Sequence, residues 1–195
     1  MSIKTLNHMF VTESCVLSGK SMQPRPAPLQ TIDWPAEPWR KIAIDIAGEF
    51  QAAPSHQRFL VVVFDLHAKW PEVMVCGTIT TAKIIEFLSS LFSRFGLVDE
   101  VISDNGRQFV SAEFDQFLSN LGIKHRYTAL YNPQANGAIE RFNRVLKDGI
   151  KAGMADGCSF AEAIKQTLAS YRSTPQATTG VSPAKVLYKF TITCR

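Results

Sequence analysis

The chain has little cysteine, and no arrangement of it that could carry structure. Cys15, Cys76, Cys158 and Cys194 lie far apart among 195 residues, with no CxxC pair. That spacing offers neither a disulfide framework nor a complete zinc site, and it predicts reduced thiols in an intracellular protein. No apolar run reaches the roughly 20 residues of a membrane span, so no membrane partner is expected. The opening MSIKTLNHMFVTES lacks the apolar stretch of a secretory signal. Excess charge is scarce too: 21 Lys and Arg against 17 Asp and Glu leave a net +4. At that value non-specific affinity for nucleic acid is expected to be modest, so local placement of cations has to matter more. Repeats and low-complexity tracts are missing. What is there, 46% hydrophobic and 19% charged, suits one globular domain with flanking sequence.

Residues 1–37 are poorly patterned. The segment SGKSMQPRPAPLQTIDWPAEPW holds five of the ten prolines, with Lys20 and Arg25 among them, and reads as an extended basic linker. Regular structure is expected from Trp39 onward. Lys41 to Phe50 alternates apolar residues around Asp45, and Arg58 to Leu66 is an almost unbroken apolar run, the mark of a strand buried on both faces. With Trp70 to Cys76 these predict a three-stranded antiparallel meander. Thr80 or Thr81 caps a helix to about Phe95 that Gly96 ends, and Val98 to Ser103 follows as a fourth strand. Ser111 caps a helix to about Leu121, and Ile123 to Tyr127 is the fifth strand. Helices over Ser159 to Tyr171 and Pro183 to Leu187 complete the pattern. The order is an α/β layer architecture, with residues 190–195 left as a short tail.

The stretch Tyr131 to Lys151 is the most informative. Its first half reads as a loop, since Asn132-Pro133 and Asn136-Gly137 are turn signals. Its second half reads as an amphipathic helix. Ala138, Ile139, Phe142, Leu146, Ile150 and Met154 recur at spacings of three and four on one face. Asn136, Glu140, Arg144, Lys147 and Lys151 do so on another. Such a row is most often a solvated face with a weak Glu140–Arg144 pair, but it is equally suited to phosphate.

Three carboxylates then stand out. Asp45 sits mid-strand between Ile44 and Ile46, where a charge is costly unless paired, hydrogen-bonded or metal-bound. Asp104 follows the fourth strand, at the edge where α/β sheets place ligands, although Asp104-Asn105-Gly106 also serves as a plain turn. Glu140 lies at the expected helix start. If the first and fourth strands are neighbours, the three converge, and hard oxygen-seeking divalent ions would relieve their repulsion. Asp65 is just as strand-embedded without a visible functional partner, and the four histidines (His8, His56, His67, His125) read as bland.

These residues and their surroundings resemble the catalytic core of retroviral and gypsy-type LTR-retrotransposon integrases, in the DDE group of the ribonuclease H-like superfamily. The stretches that carry the likeness are PWRKIAIDIAGEF, FLVVVFDLHAKWPEV, DEVISDNGRQFVSAEF, GIKHRYTALYNPQANGAIERFNRVLK and SYRSTPQATTGVSPAKVLY. Residues 105 to 139, 35 in all, separate Asp104 from Glu140, which is the family spacing. The resemblance implies a five-stranded mixed sheet, a meander plus two parallel strands, flanked by helices over residues 38–189. It further implies a metal-dependent DNA strand transferase and nuclease that processes 3′ ends and integrates DNA. Asp45, Asp104 and Glu140 would hold two Mg²⁺ or Mn²⁺ ions. Tyr131, Gln134, Asn136, Arg144 and Lys147, with Lys151 on the same helix face, would meet the DNA. A homodimer through the core and action in the nucleus are also implied.

The chain departs from the family in its N-terminal zinc module. Cys15 occupies the third ligand's place, but Ser18 stands where the fourth belongs and only His8 remains upstream. That departure leaves a second reading open: a domesticated or truncated core that binds nucleic acid or a partner without integrating. A ribonuclease H acting on hybrids shares the fold and metals, and the surroundings of Glu140 count against it.

Overall fold

β2 (Phe59–Asp65) is an interior strand of the sheet, and Leu60 to Phe64 are all essentially removed from solvent. Burial of both faces explains why the sequence there is a continuous apolar run instead of an alternating one. In this computed structural model, which describes residues 35–127 and 133–189, β2 pairs antiparallel with β1 (Lys41–Ala47) and with β3 (Pro71–Cys76). β1 pairs in parallel with β4 (Glu100–Ser103), and β4 with β5 (Lys124–Tyr127), giving the sheet order β3-β2-β1-β4-β5. The expected meander with two parallel strands is therefore observed.

Alternation along the strands sends side chains to two cores. Ile42, Ile44, Val61, Val63 and Val101 face α1 (Thr81–Phe95) and α2 (Ala112–Asn120). Ala43, Ala47, Leu60, Val62, Phe64 and Ile102 face α3 (Pro133–Ala155) and α4 (Phe160–Ser173). Two caps are as expected from sequence, with Thr80 filling the place left open between Thr80 and Thr81 on α1 and Ser111 capping α2; on α4 the structure adds a reciprocal capping box of Ser159 and Glu162. Gly96 closes α1 at a positive φ of 87°. A short helix, α5 (Pro183–Tyr188), packs through Ala184 on Ala68 and Trp70, and its Tyr188 ring meets Trp70 at a centroid distance of 5.2 Å. Arg172 on α4 lies 4.3 Å from the Trp70 ring centroid and pairs with the buried Glu72.

The loop expected over Asn132–Gly137 needs correction, because α3 begins at Pro133. Pro is pre-organised for the first helical position. The cost of about 1 kcal/mol for one internal glycine is small against the apolar stripe behind it. Ala138, Ile139, Phe142, Leu146 and Ile150 are all buried against the sheet, with Met154 packed beside them. Glu140 thus lies well inside a 23-residue helix and not at its start.

α3 and α4 approach closely because α3 carries small residues at the crossing. A Cβ on Gly149 would stand 2.5 Å from Thr167 Oγ1, and one on Gly153 would stand 2.9 Å from Ala163 Cβ. This contact holds α3 against α4, beside the core that both share with the sheet.

Asp65 is fully buried, and its carboxylate accepts hydrogen bonds from the backbone N–H groups of Trp39, His67 and Ala68 at 3.0–3.1 Å. It organises the β2–β3 turn and the entry of the chain into β1. Burial pushes its carboxyl above the ordinary value, against those three donors.

Candidate active site

The parallel pairing of β1 with β4 aligns Lys41 with Glu100, Ile42 with Val101 and Ala43 with Ile102. Carried two residues further, the same register sets Asp45 opposite Asp104 at the carboxyl end of both strands, where open α/β sheets hold their ligands. Asp45 shares the Ala43–Ala47 face of β1, toward α3. Glu140 projects from α3 onto that edge. The three carboxylates, with Ala43, Ile44, Ile102 and Ile139, line a cavity of about 110 Å³.

Asp45 is the partly buried member, while Asp104 and Glu140 are exposed. Burial pushes the Asp45 carboxyl above the usual carboxylate value. The Ile46 N–H, at 2.8 Å, pulls it down; the charges of Asp104 and Glu140 add to the rise, and Lys147 opposes it. The charges of Asp104 and Glu140 thus act on Asp45 in one electrostatic cluster, with a cation close by.

Each carboxylate is held by a local device. Asp104 Oδ1 accepts the Gly106 N–H at 2.9 Å, an Asx turn. Gly106 must be glycine for the turn to stand, because a Cβ there would lie 2.9 Å from that same Oδ1 and 3.3 Å from Phe109 Cδ2. Asp45 Oδ2 accepts the Asn143 side-chain N–H at 2.7 Å. Asn143 is only 7% exposed, and its Oδ1 has no partner among the described residues. Among the described residues, Asp45 alone is seen to orient its amide.

Among the described residues, no three His, Cys, Asp or Glu side chains converge tightly enough to grip one ion by themselves. The cavity's donors are oxygen only and stand apart around it. That set fits a hard ion that keeps part of its water shell, and not a zinc ion in a closed nitrogen and sulfur site.

Arg144, Lys147 and Lys151 are exposed along α3, as the polar row required, and Lys147 is close enough to act on Asp45. Tyr131 lies outside the described residues, as do the side chains of Gln134 and Asn136. Two residues escaped the sequence reading. Asn143 stands three positions after Glu140, a spacing that was itself a signal, but it sits on the buried flank of the row. His125 makes two side-chain hydrogen bonds, to Ser103 and Asp115, and those partners are distant in sequence.

Comparison with known proteins agrees with this geometry. The family model described as integrase core domain (rve) matches residues 35–133, which include Asp45 and Asp104 and stop short of Glu140. An uncharacterized protein of Caenorhabditis elegans, K02A2.6, is 38% identical over 166 residues, covering 85% of this chain and 13% of its own length. The Gag-Pol polyprotein of avian reticuloendotheliosis virus is 31% identical over 156 residues, covering 79% of this chain and 13% of its own. The chain thus spans only a small part of these relatives. Among solved structures, the HTLV-2 integrase catalytic core domain in complex with magnesium, in a trimeric form, superposes with a TM-score of 0.64 at 20% identity. It covers 78% of this chain and 98% of that one. The same domain is also known in a dimeric form. A match over more than half the sequence, on the sheet that brings Asp45 and Asp104 together, establishes that the chain belongs to the integrase core domain family.

Proposed function

We propose that this chain is the catalytic core, over residues 38–189, of an enzyme that integrates DNA by metal-dependent polynucleotidyl transfer. The observation that carries the reading is the oxygen-only cavity that Asp45, Asp104 and Glu140 line from three separate elements. In it, Asp45, Asp104 and Glu140 would hold divalent ions, two Mg²⁺ or Mn²⁺ by family resemblance. Ions held there supply Lewis acidity at the attacked phosphorus and its leaving oxygen.

The chain's own residues provide the rest. Asn143 fixes the Asp45 carboxylate from behind, and the Asx turn fixes Asp104. Pre-set oxygens need no rearrangement when substrate arrives, which is where much of such catalysis originates. Arg144, Lys147 and Lys151, with Tyr131, Gln134 and Asn136 preceding them, would position the DNA through its phosphates, giving register and little base readout. Water attacks near a DNA 3′ end in the first step. The freed 3′-hydroxyl attacks a target phosphodiester in the second, with no covalent enzyme intermediate.

The reading includes a homodimer through the core, supported by the dimeric form of the HTLV-2 domain, and action in the nucleus, where chromosomal DNA lies. The test is Mn²⁺-dependent strand transfer or disintegration on a branched oligonucleotide. Glu140→Gln should abolish it while the circular dichroism and melting of the chain stay as they are. Undiminished activity in that variant removes Glu140 from the mechanism.

A further inference from the structure

On the face of the sheet opposite the carboxylate cavity, directly behind Asp104, three polar side chains form a chain of hydrogen bonds. His125 on β5 places Nδ1 2.8 Å from Asp115 Oδ1 on α2 and Nε2 2.9 Å from Ser103 Oγ on β4. Ser103 Oγ in turn lies 2.9 Å from the backbone carbonyl oxygen of Asp104. The Tyr127 hydroxyl donates to the same Asp115 carboxylate at 3.0 Å, and the rings of Phe114 and Tyr127 pack at centroid distances of 5.1 and 4.3 Å from the imidazole. The His125 side chain is 8% exposed, so the ring is fixed by packing as well as by hydrogen bonds.

The Ser–His–Asp order matches that of hydrolases, but the placement rules that chemistry out. Ser103 is 1% exposed and its hydroxyl lies against a main-chain carbonyl, so no substrate carbon can reach it. What the relay does touch is the peptide that carries Asp104.

We propose that His125 is a positioning residue for Asp104, acting through the Ser103 hydroxyl on the Asp104 carbonyl. The proton count makes the relay two-state. An ionised Asp115 carboxylate can only accept, so Nδ1 carries a proton. The Asp104 carbonyl can only accept, and Ser103 has one hydroxyl proton. With the ring cationic, Nε2–H donates to Ser103 Oγ, and Ser103 donates to the Asp104 carbonyl. With the ring neutral, Ser103 donates to Nε2 and the Asp104 carbonyl loses that donor. The cationic form therefore clamps the end of β4, and with it the Asx turn that aims the Asp104 carboxylate. Among the described residues, the titratable groups seen to face the ring are Asp115 from α2 and Tyr127 from its own strand; β4 presents Ser103 beside it.

This inference rests on the integrase-type reading for its catalytic consequence, so the test has one arm that needs no activity. In the metal-free ¹⁵N-labelled chain, the Asn105 amide, whose peptide contains the Asp104 carbonyl, should titrate with the His125 ring and share its midpoint. In Ser103→Ala the ring still titrates and Asn105 no longer follows; in His125→Phe, which keeps the aromatic packing, the Asn105 step disappears. An Asn105 resonance indifferent to the ring, or one that follows it equally well without Ser103, overturns the proposal.

In the activity arm, His125→Phe and Ser103→Ala should each lower kcat about 10- to 100-fold, the usual cost of losing an outer-shell support, with KM for DNA unchanged. The double variant should be no worse than either single one. Wild-type kcat in these variants also overturns the proposal. A wild-type chain inert with every metal instead refutes the integrase-type reading, and the resonance arm still decides the relay.

Discussion

Substituting Gly149 by alanine tests whether α3 and α4 meet as closely as their small residues allow. In an isolated helix the change is favourable by about 1 kcal/mol. Here the new Cβ would stand 2.5 Å from Thr167 Oγ1, 2.6 Å from its Cγ2 and 3.1 Å from its Cβ. Thr167 cannot rotate away cheaply, because it is β-branched and its hydroxyl donates to the Ala163 carbonyl at 2.7 Å. Overpacking of this kind costs about 1–3 kcal/mol, so Gly149→Ala should come out between neutral and about 2 kcal/mol destabilised. In a Thr167→Ala background the obstruction is gone, and the same substitution should stabilise by about 1 kcal/mol. At roughly 2–4 °C per kcal/mol for a protein of this size, thermal melts of the four proteins resolve the difference, and urea midpoints give the coupling energy. Equal stabilisation by Gly149→Ala in both backgrounds would show that the helices are not in contact at this point.

Gly106→Ala should push the Asp104 carboxylate off its turn, since the Cβ meets Oδ1 at 2.9 Å. Strand transfer should drop about 10- to 100-fold, as misplacements of about 1 Å do, with melting little changed; full activity would dismiss the Asx turn as a device of the site. Asp45→Asn should stabilise the metal-free chain near neutral pH. Burial and the neighbouring carboxylates raise the folded carboxyl above its unfolded value of 3.8, so wild-type stability is greatest below that value and is lost as pH rises through the raised one. The Asn variant lacks this loss, and the two stability curves should merge in acid; parallel curves would contradict the assignment. Arg144→Ala with Lys147→Ala should lower DNA affinity and reduce the slope of log affinity against log salt by about 2. An unchanged slope takes both residues off the DNA path.

Most of the frame was legible in the residues because each signal there was local. Thr80 and Ser111 cap the helices that follow them, Gly96 ends α1, and the buried run of β2 read as a strand covered on both faces. Asn132–Gly137 misled because turn propensity is a weak local preference that a buried apolar stripe overrides. Asp65 was undecidable from sequence, since its three donors come from two separate parts of the chain. Asp45 and Asp104 could be paired only on the condition that β1 and β4 are neighbours, which the register meets. Asn143 and His125 were passed over for the same reason. Asn143 meets Asp45 across 98 positions of sequence, and the Ser103, Asp115 and His125 links span 10 to 22.

The most direct test of the central claim is where a paramagnetic ion settles. Titration of the ¹⁵N-labelled chain with Mn²⁺ should broaden the amides of residues around Asp45, Asp104 and Glu140 first and together, and Asp45→Asn with Asp104→Asn should remove that broadening. Broadening that begins elsewhere, or that survives loss of both carboxylates, would mean that these three side chains do not form one ion-binding site.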